Sequence, residues 1–277
     1  MAEDTLLTQL DEHGVFTLTF NAPAVKNAID TRTQFRLLDM LYDASRNPAV
    51  RVVVLTGTGN AFCTGADVRS MGAPDPDDPI AQQWSGSQVW QDVEARVDRL
   101  RHLSRASVLL HRMGRPTIAK LRGPAAGMGF SFALACDFRI ASRTAALVTA
   151  FARIGMPGDY GGTYFLTRLV GPSKAKELYM LGDRVDAETA FRLGLFNRLV
   201  DDAELDRETD AFARRLAAGP PIALRYIKEN VEAALDGTID TTLDLEARNM
   251  IRARLTGDAK EAMAAFLEKR EPVFKGT

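Results

Sequence analysis

Residues 51–57, RVVVLTG, set four apolar side chains in succession: Val52, Val53, Val54 and Leu55. A strand with one wet face alternates apolar and polar residues. One that does not alternate is covered on both faces, as in a mainly parallel sheet flanked by helices. Parallel strands need long crossovers, usually helical, so this stretch points to an α/β fold. Residues 115–137 carry the same message. RPTIAKL reads as another strand, and RGPAAGMGFSFALACD then turns through glycines straight into a helix without a polar face, which belongs in an interior.

The flanking segments fit this plan. GVFTLTF (14–20) alternates as a half-buried strand does, and Thr31 and Gln34 have capping-box spacing ahead of Phe35, Leu38 and Leu41 at helical intervals, with Pro48 as the stop. Residues 89–113 predict a helix with Val93, Val97, Leu100 and Leu103 near one face, and FRIASRTAALV returns to strand character. GPSKAKELYMLG and DAETAFRLGLFNRLV read as short helices with Ser173 and Asp186 as N-caps. From Asp201 onward the pattern is helical throughout, which divides the chain into a core over 1–200 and a helical appendage over 201–277, some of whose surface is expected to pack on another copy. The segment 72–86, rich in Pro and Asp, resists packing and is expected to be a mobile surface stretch.

Charge and composition exclude several functions. Acids and bases cancel to a net charge of −1, which gives no field for nucleic acid or an anionic membrane, so any anionic ligand must be met locally. The start carries acids where a signal peptide carries bases, and no apolar run reaches the ~18 residues of a membrane span, so a cytoplasmic location is expected. Cys63 and Cys136 read as reduced thiols in packed positions, with no metal site implied.

Two glycine bends follow apolar strands, FCTGAD (62–67) and AAGMGFS (125–131). Each either permits a tight turn or, if one N–H from each converges, forms an oxyanion hole. Neither fits a phosphate loop, since GxxxxGK[ST] is absent. In FARIGMPGDYGGTYFL (151–166) Asp159 is the one carboxylate. It either caps the following helix or acts as an acid–base group whose pKa is raised by apolar Phe151, Met156 and Tyr160. His102 and His111 read as amphipathic surface residues, and Trp84 and Trp90 as candidates for lining a channel.

Taken together, NAPAVKNA, AFCTGADV, GPAAGMGFSFALACD, GDYGGTYFLTRLVG and FLEKREPVF, in this order, resemble the crotonase superfamily of enoyl-CoA hydratases and isomerases over about residues 5–275. The resemblance implies a crotonase-like spiral of repeated ββα units, a C-terminal helical region that builds a trimer or a hexamer as a dimer of trimers, and an acyl-CoA thioester as substrate. It implies no separate cofactor, because CoA is part of the substrate. Ala66 and Met128 stand where the family's two oxyanion N–H donors lie, Met128 replacing the usual glycine, with Cys63, Gly65 and Gly127 in the same motifs. Lys26 and Arg69 match positions near the CoA phosphates, and Lys269 and Lys275 match a basic tail that reaches a neighbour's ligand. Asp67 is expected to hold its loop. Ser131 and Phe151 occupy the positions of the two hydratase glutamates, so water addition by that pair is not expected. Asp159 matches a working aspartate of dienoyl-CoA isomerases, phenylacetyl-pathway isomerases, 3-hydroxyacyl-CoA hydrolases and aryl-CoA dehalogenases. Isomerisation of a double bond through an enolate is therefore expected, with hydration or hydrolysis by the same Asp, or non-catalytic acyl-CoA binding, as alternatives.

Overall fold

Both faces of the 51–57 strand are covered. In the computed structural model, which describes residues 4–67 and 92–277, Val53 and Leu55 face one hydrophobic cluster while Val52 and Val54 face a second. Arg69 and the 72–86 segment with Trp84, like Trp90, lie outside the described residues. The main sheet holds six strands in the spatial order β1 (Leu6–Leu10), β2 (Val15–Phe20), β3 (Val52–Gly57), β4 (Thr117–Leu121), β6 (Phe138–Ser142) and β9 (Arg198–Val200). Only β1 runs antiparallel, with Leu6 opposite Phe20. From β2 to β9 the pairing is parallel. A smaller sheet joins β5 (Pro124–Ala126), β7 (Ala146–Val148) and β8 (Val185–Asp186).

Strands and helices alternate as ββα units. β4 and β5 feed α3 (Met128–Ala135), every residue of which is buried, and β6 and β7 feed α4 (Gly162–Leu181). FRIASRTAALV is thus two strands in two sheets, broken at the turn where Ala145 N donates to Ser142 O. The other helices over this face are α1 (Thr31–Arg46) and α2 (Val93–Arg112), which pack on one another, with α2 also on α3.

Three expectations are corrected. Asp30, not Thr31, caps α1: its carboxylate accepts from Thr33 N at 2.8 Å, while the Gln34 side chain is drawn away to the Tyr160 hydroxyl. The helix begun at Ser173 is the second half of α4, broken where Gly171 adopts φ 77 and ψ 164 ahead of Pro172. Asp186 does cap α5 (Ala187–Arg192), accepting from Thr189 N at 2.8 Å. The third correction concerns the boundary at 200/201. α6 (Leu205–Ala217) buries Leu205, Ala213 and Ala217 against Val52, Val54, Ile118 and Ile140, so it forms the outer layer of the main sheet rather than part of an appendage. The looser region begins with α7 (Pro221–Asp236), α8 (Ile239–Arg254) and α9 (Gly257–Glu268). α7 has no fully buried residue, and Ile227, Val231, Met250, Leu255, Phe266 and Leu267 all stand exposed along these helices. No helix among the described residues is long and apolar enough to cross a membrane.

Candidate active site

The two glycine bends lie side by side. Cys63 pairs with Ala125 as an isolated parallel bridge, Ala126 N donates to Cys63 O at 2.9 Å and Phe62 N to Pro124 O at 3.0 Å. On its other side the first bend is fixed by Ile29, which donates to Gly65 O at 2.9 Å and accepts from Asp67 N at 3.0 Å. Gly65 has φ +100, and a Cβ there would lie 3.1 Å from Ala126 O and 3.5 Å from Met128 N, so a side chain would crowd the second bend. Neither the Ala66 nor the Met128 amide donates to any group among the described residues. Met128 opens α3 behind Gly127, where a helix leaves its first N–H groups without intrahelical partners. Its side chain is buried in the main core cluster, a packing role.

Asp159 sits in the loop between the 3₁₀ turn Ala152–Ile154 and α4. The loop takes its shape from left-handed backbone at Gly158 (φ 114), Tyr160 (φ 50) and Gly161 (φ 77). A bulky residue such as Tyr160 adopts that conformation only when its surroundings impose it. Here the ring is buried edge-on to Phe132 at 5.2 Å and its hydroxyl bonds Gln34 Oε1 at 2.6 Å. The loop is held from a second side by Ser131 on the first turn of α3, whose hydroxyl donates to Asp159 O at 3.0 Å.

The Asp159 carboxylate caps nothing: α4 is capped by Gly161 without a side-chain bond. Its Oδ1 is buried and has no hydrogen-bond partner among the described residues. Burial pushes this carboxyl up to about 6. Phe151 and Tyr160 supply apolar surroundings, whereas Met156, expected to join them, is exposed. Phe151 links loop and bends, since a Cβ on Gly127 would come within 4.0 Å of both Phe151 Cζ and Gly65 Cα.

The residues expected from sequence therefore divide. Gly65, Ala66, Gly127, Met128, Ser131, Phe151 and Asp159 come together around the start of α3. Lys26 is exposed on a left-handed turn tied to them through Thr64, whose hydroxyl donates to Lys26 O at 3.0 Å. Asp67 is anchored by its amide to Ile29. Cys63 departs from its expected ligand contact: its side chain lies wholly in the core, with the thiol pushed up to about 12 by burial, and only its backbone serves the bend. Lys269 stands exposed at the C-cap of α9, with no hydrogen bond or ion pair to this cluster among the described residues, and Lys275 contributes its amide to Asp258 Oδ1 at 2.7 Å. Among the described residues no group of three or more His, Cys, Asp or Glu side chains could hold a metal.

Sequence reasoning missed Tyr179. Its ring stacks on Phe151, with centroids 6.2 Å apart and planes 12° apart, and meets Phe130 edge-on at 6.2 Å. Spaced four residues after buried Ala175 on α4, it reads as an ordinary core aromatic, and only the fold shows its hydroxyl beside Ser131 and Gly162.

A roomy cavity of about 360 Å³ lies elsewhere, at the far end of α3, lined by His111, Asp137, Lys228 and Glu232 among apolar groups of α4 and α7. Its polar side chains are paired with each other. Lys228 Nζ reaches Asp137 Oδ2 at 2.8 Å, Thr117 N reaches the same oxygen at 2.8 Å, and His111 Nε2 lies 2.8 Å from Glu232 Oε2. Burial, and then the charges of Lys228, Arg112 and Arg168, lowers His111 to about 4.

The family model for enoyl-CoA hydratase/isomerase matches residues 11–277. The chain is 36% identical over 265 residues to a 1,2-epoxyphenylacetyl-CoA isomerase of Escherichia coli (strain K12), the match covering 96% of each protein. It is 32% identical over 275 residues to a crotonyl-CoA hydratase of Syntrophomonas wolfei, covering 99% of each. Among solved structures, an enoyl-CoA hydratase from Bacillus anthracis superposes with a TM-score of 0.88 at 28% identity, over 99% of this chain and 100% of that one. One relative isomerises by name and another hydrates, so similarity alone leaves the reaction between them.

Proposed function

The chain belongs to the enoyl-CoA hydratase/isomerase family, and from that premise we propose that it shifts the carbon–carbon double bond of an acyl-CoA thioester, with Asp159 as the proton shuttle. The observation that carries this reading is the buried Asp159 carboxylate with an oxygen that no described residue satisfies. Buried polar groups in folded proteins are normally paired, and an unpaired one in a cleft is a candidate for work on a ligand.

In this mechanism the thioester oxygen lies against the amides of Ala66 and Met128. Asp159 takes a proton from C2 of a 3-enoyl thioester, and the electron pair left behind delocalises onto the oxygen, where the fixed N–H dipoles stabilise it. The same carboxylic acid returns the proton at C4, giving the 2-enoyl product with no atom gained or lost. A carboxyl raised to about 6 serves both steps, since near neutrality neither form is far from reach. Lys26 and Arg69 are assigned to the CoA phosphates. The exposed apolar faces of α7, α8 and α9 are assigned to contacts between copies in a trimer or a dimer of trimers, where Lys269 would serve a neighbour's ligand.

The test is the product of purified enzyme given 3-hexenoyl-CoA. Conversion to 2-hexenoyl-CoA at unchanged mass is expected, and it should vanish in Asp159→Asn while acyl-CoA affinity persists. A product heavier by one water, or release of free CoA, would move the assignment to hydration or hydrolysis. Full turnover in Asp159→Asn would overturn the role of this residue.

A further inference from the structure

A second buried oxygen near Asp159 has no partner. The Tyr179 hydroxyl is removed from solvent and makes no hydrogen bond with any described residue. Its position is fixed by what surrounds it. A Cβ added to Gly162 would lie 2.5 Å from the Tyr179 hydroxyl and 2.4 Å from Ser131 Oγ, so both oxygens close on one point at the start of α4. Ser131 spends its proton on the loop, donating to Asp159 O at 3.0 Å. Tyr179 spends its own on nothing, although its ring is locked against Phe151 and Phe130. The Thr163 hydroxyl acts on the phenol's pKa without reaching hydrogen-bond geometry. Burial raises that pKa to about 12, so the phenol keeps its proton at any working pH and is a donor.

An unsatisfied buried hydroxyl disfavours the empty site, and the loss is recovered only when a ligand brings an acceptor to it. A site built around such a group discriminates strongly against analogues that lack the matching atom, more than an apolar wall discriminates for size. Phe151 and Phe130 hold the Tyr179 ring in place, and a plain hydrocarbon tail would leave its hydroxyl unpaired.

Resting on the acyl-CoA reading above, we infer that Tyr179 is a specificity-determining residue, and that the preferred acyl group carries an oxygen acceptor in the chain beyond the reacting carbons, to which the Tyr179 hydroxyl donates. The substrate class is thereby an oxygen-bearing acyl-CoA rather than a simple fatty enoyl-CoA.

Saturated thioesters test this apart from any chemistry. Affinities of hexanoyl-CoA and of 4-, 5- and 6-hydroxyhexanoyl-CoA are measured by calorimetry for the full-length enzyme and for Tyr179→Phe, which keeps the stacked ring. At least one hydroxylated analogue is expected to bind the native enzyme about tenfold more tightly than hexanoyl-CoA, the loss of one matched hydrogen bond. In Tyr179→Phe that ratio should fall to about one. The same ratio in both proteins, including no preference in either, would overturn the inference while leaving the Asp159 isomerase reading intact. Failure of the native enzyme to bind any of the four would overturn the acyl-CoA reading, and this inference with it. Loss of water addition to 2-hexenoyl-CoA in Tyr179→Phe, with the affinity ratio unmoved, would assign the hydroxyl to a water and also overturn it.

Discussion

Asp137 and Asp159 are two carboxylates set into the same interior, one just past the end of α3 and the other beside its first turn, and burial raises the pKa of both. They differ in what their neighbours offer. Asp137 receives Lys228 Nζ, the Thr117 amide and the Thr117 hydroxyl, and the charge and hydrogen bonds of these groups work against the effect of burial. Asp159 receives nothing at Oδ1. A displaced pKa is therefore common to both carboxylates, and it is the missing partner at Asp159 that supports the role proposed for it. The same contrast explains why the cavity on the Asp137 side is not the place to look for chemistry: its acids and bases already satisfy one another.

Removing each charge should separate the two regions by opposite effects. The largest expected effect is on catalysis: Asp159→Asn lowers turnover of 3-hexenoyl-CoA by about 10²–10⁴-fold, the usual worth of a positioned acid–base group, while Asp137→Asn leaves it within a few-fold. Steady-state rates of the two variants would break the comparison if both fell equally. Next comes stability. Asp137→Asn strands the Lys228 ammonium in a site where it is 12% exposed and should destabilise the fold by about 3 kcal/mol, read from denaturant midpoints. Asp159→Asn should do the reverse. The native state holds the Asp159 proton more tightly than the unfolded chain does, so ionising it removes stability as pH rises from the unfolded pKa of 3.8 to about 6. Above that range the variant should be the more stable protein by about 3 kcal/mol, and the gain should disappear on acidifying to about pH 4, as thermal melts at several pH values would show. A wild-type protein more stable than Asp159→Asn at about pH 8 would mean that the carboxylate has a partner after all. The smallest effect is Ser131→Ala. Loss of its bond to Asp159 O should cost about 1 kcal/mol in melting experiments and a few-fold in turnover, because the loop is still pinned by Tyr160.

Much of this arrangement could be read from residue order. Uninterrupted Val52–Leu55 implied a sheet covered twice, all-apolar Met128–Ala135 implied a central helix, and the solitary carboxylate at 159 stood out against its neighbours. What stayed hidden depended on distant partners. LLTQL at β1 lacks a clear alternation, and it becomes a strand because the edge of β2 is there to receive it. The pattern of α6 shows an apolar face but not the sheet that it covers. Thr31 and Gln34 have the right spacing for a cap, yet Gln34 is worth more to the buried Tyr160 hydroxyl, 126 residues away. Tyr179 was illegible for the same reason: its ring obeys the helical pattern, and nothing local shows that its oxygen is unpartnered.

The two bends at 62–67 and 125–131 are stitched together by main-chain hydrogen bonds, so the spacing of their free amides is set without recourse to any side-chain functional group. Such a feature is nearly invisible to substitution at its non-glycine positions. Alanine scanning there should read mostly as silence, whereas Gly65→Ala or Gly129→Ala, whose Cβ would meet Ala126 O or Cys63 O respectively, and insertion or deletion of a single residue in either bend should disrupt the pairing. The geometry of the two bends is thus inherited through loop length and the placement of glycine.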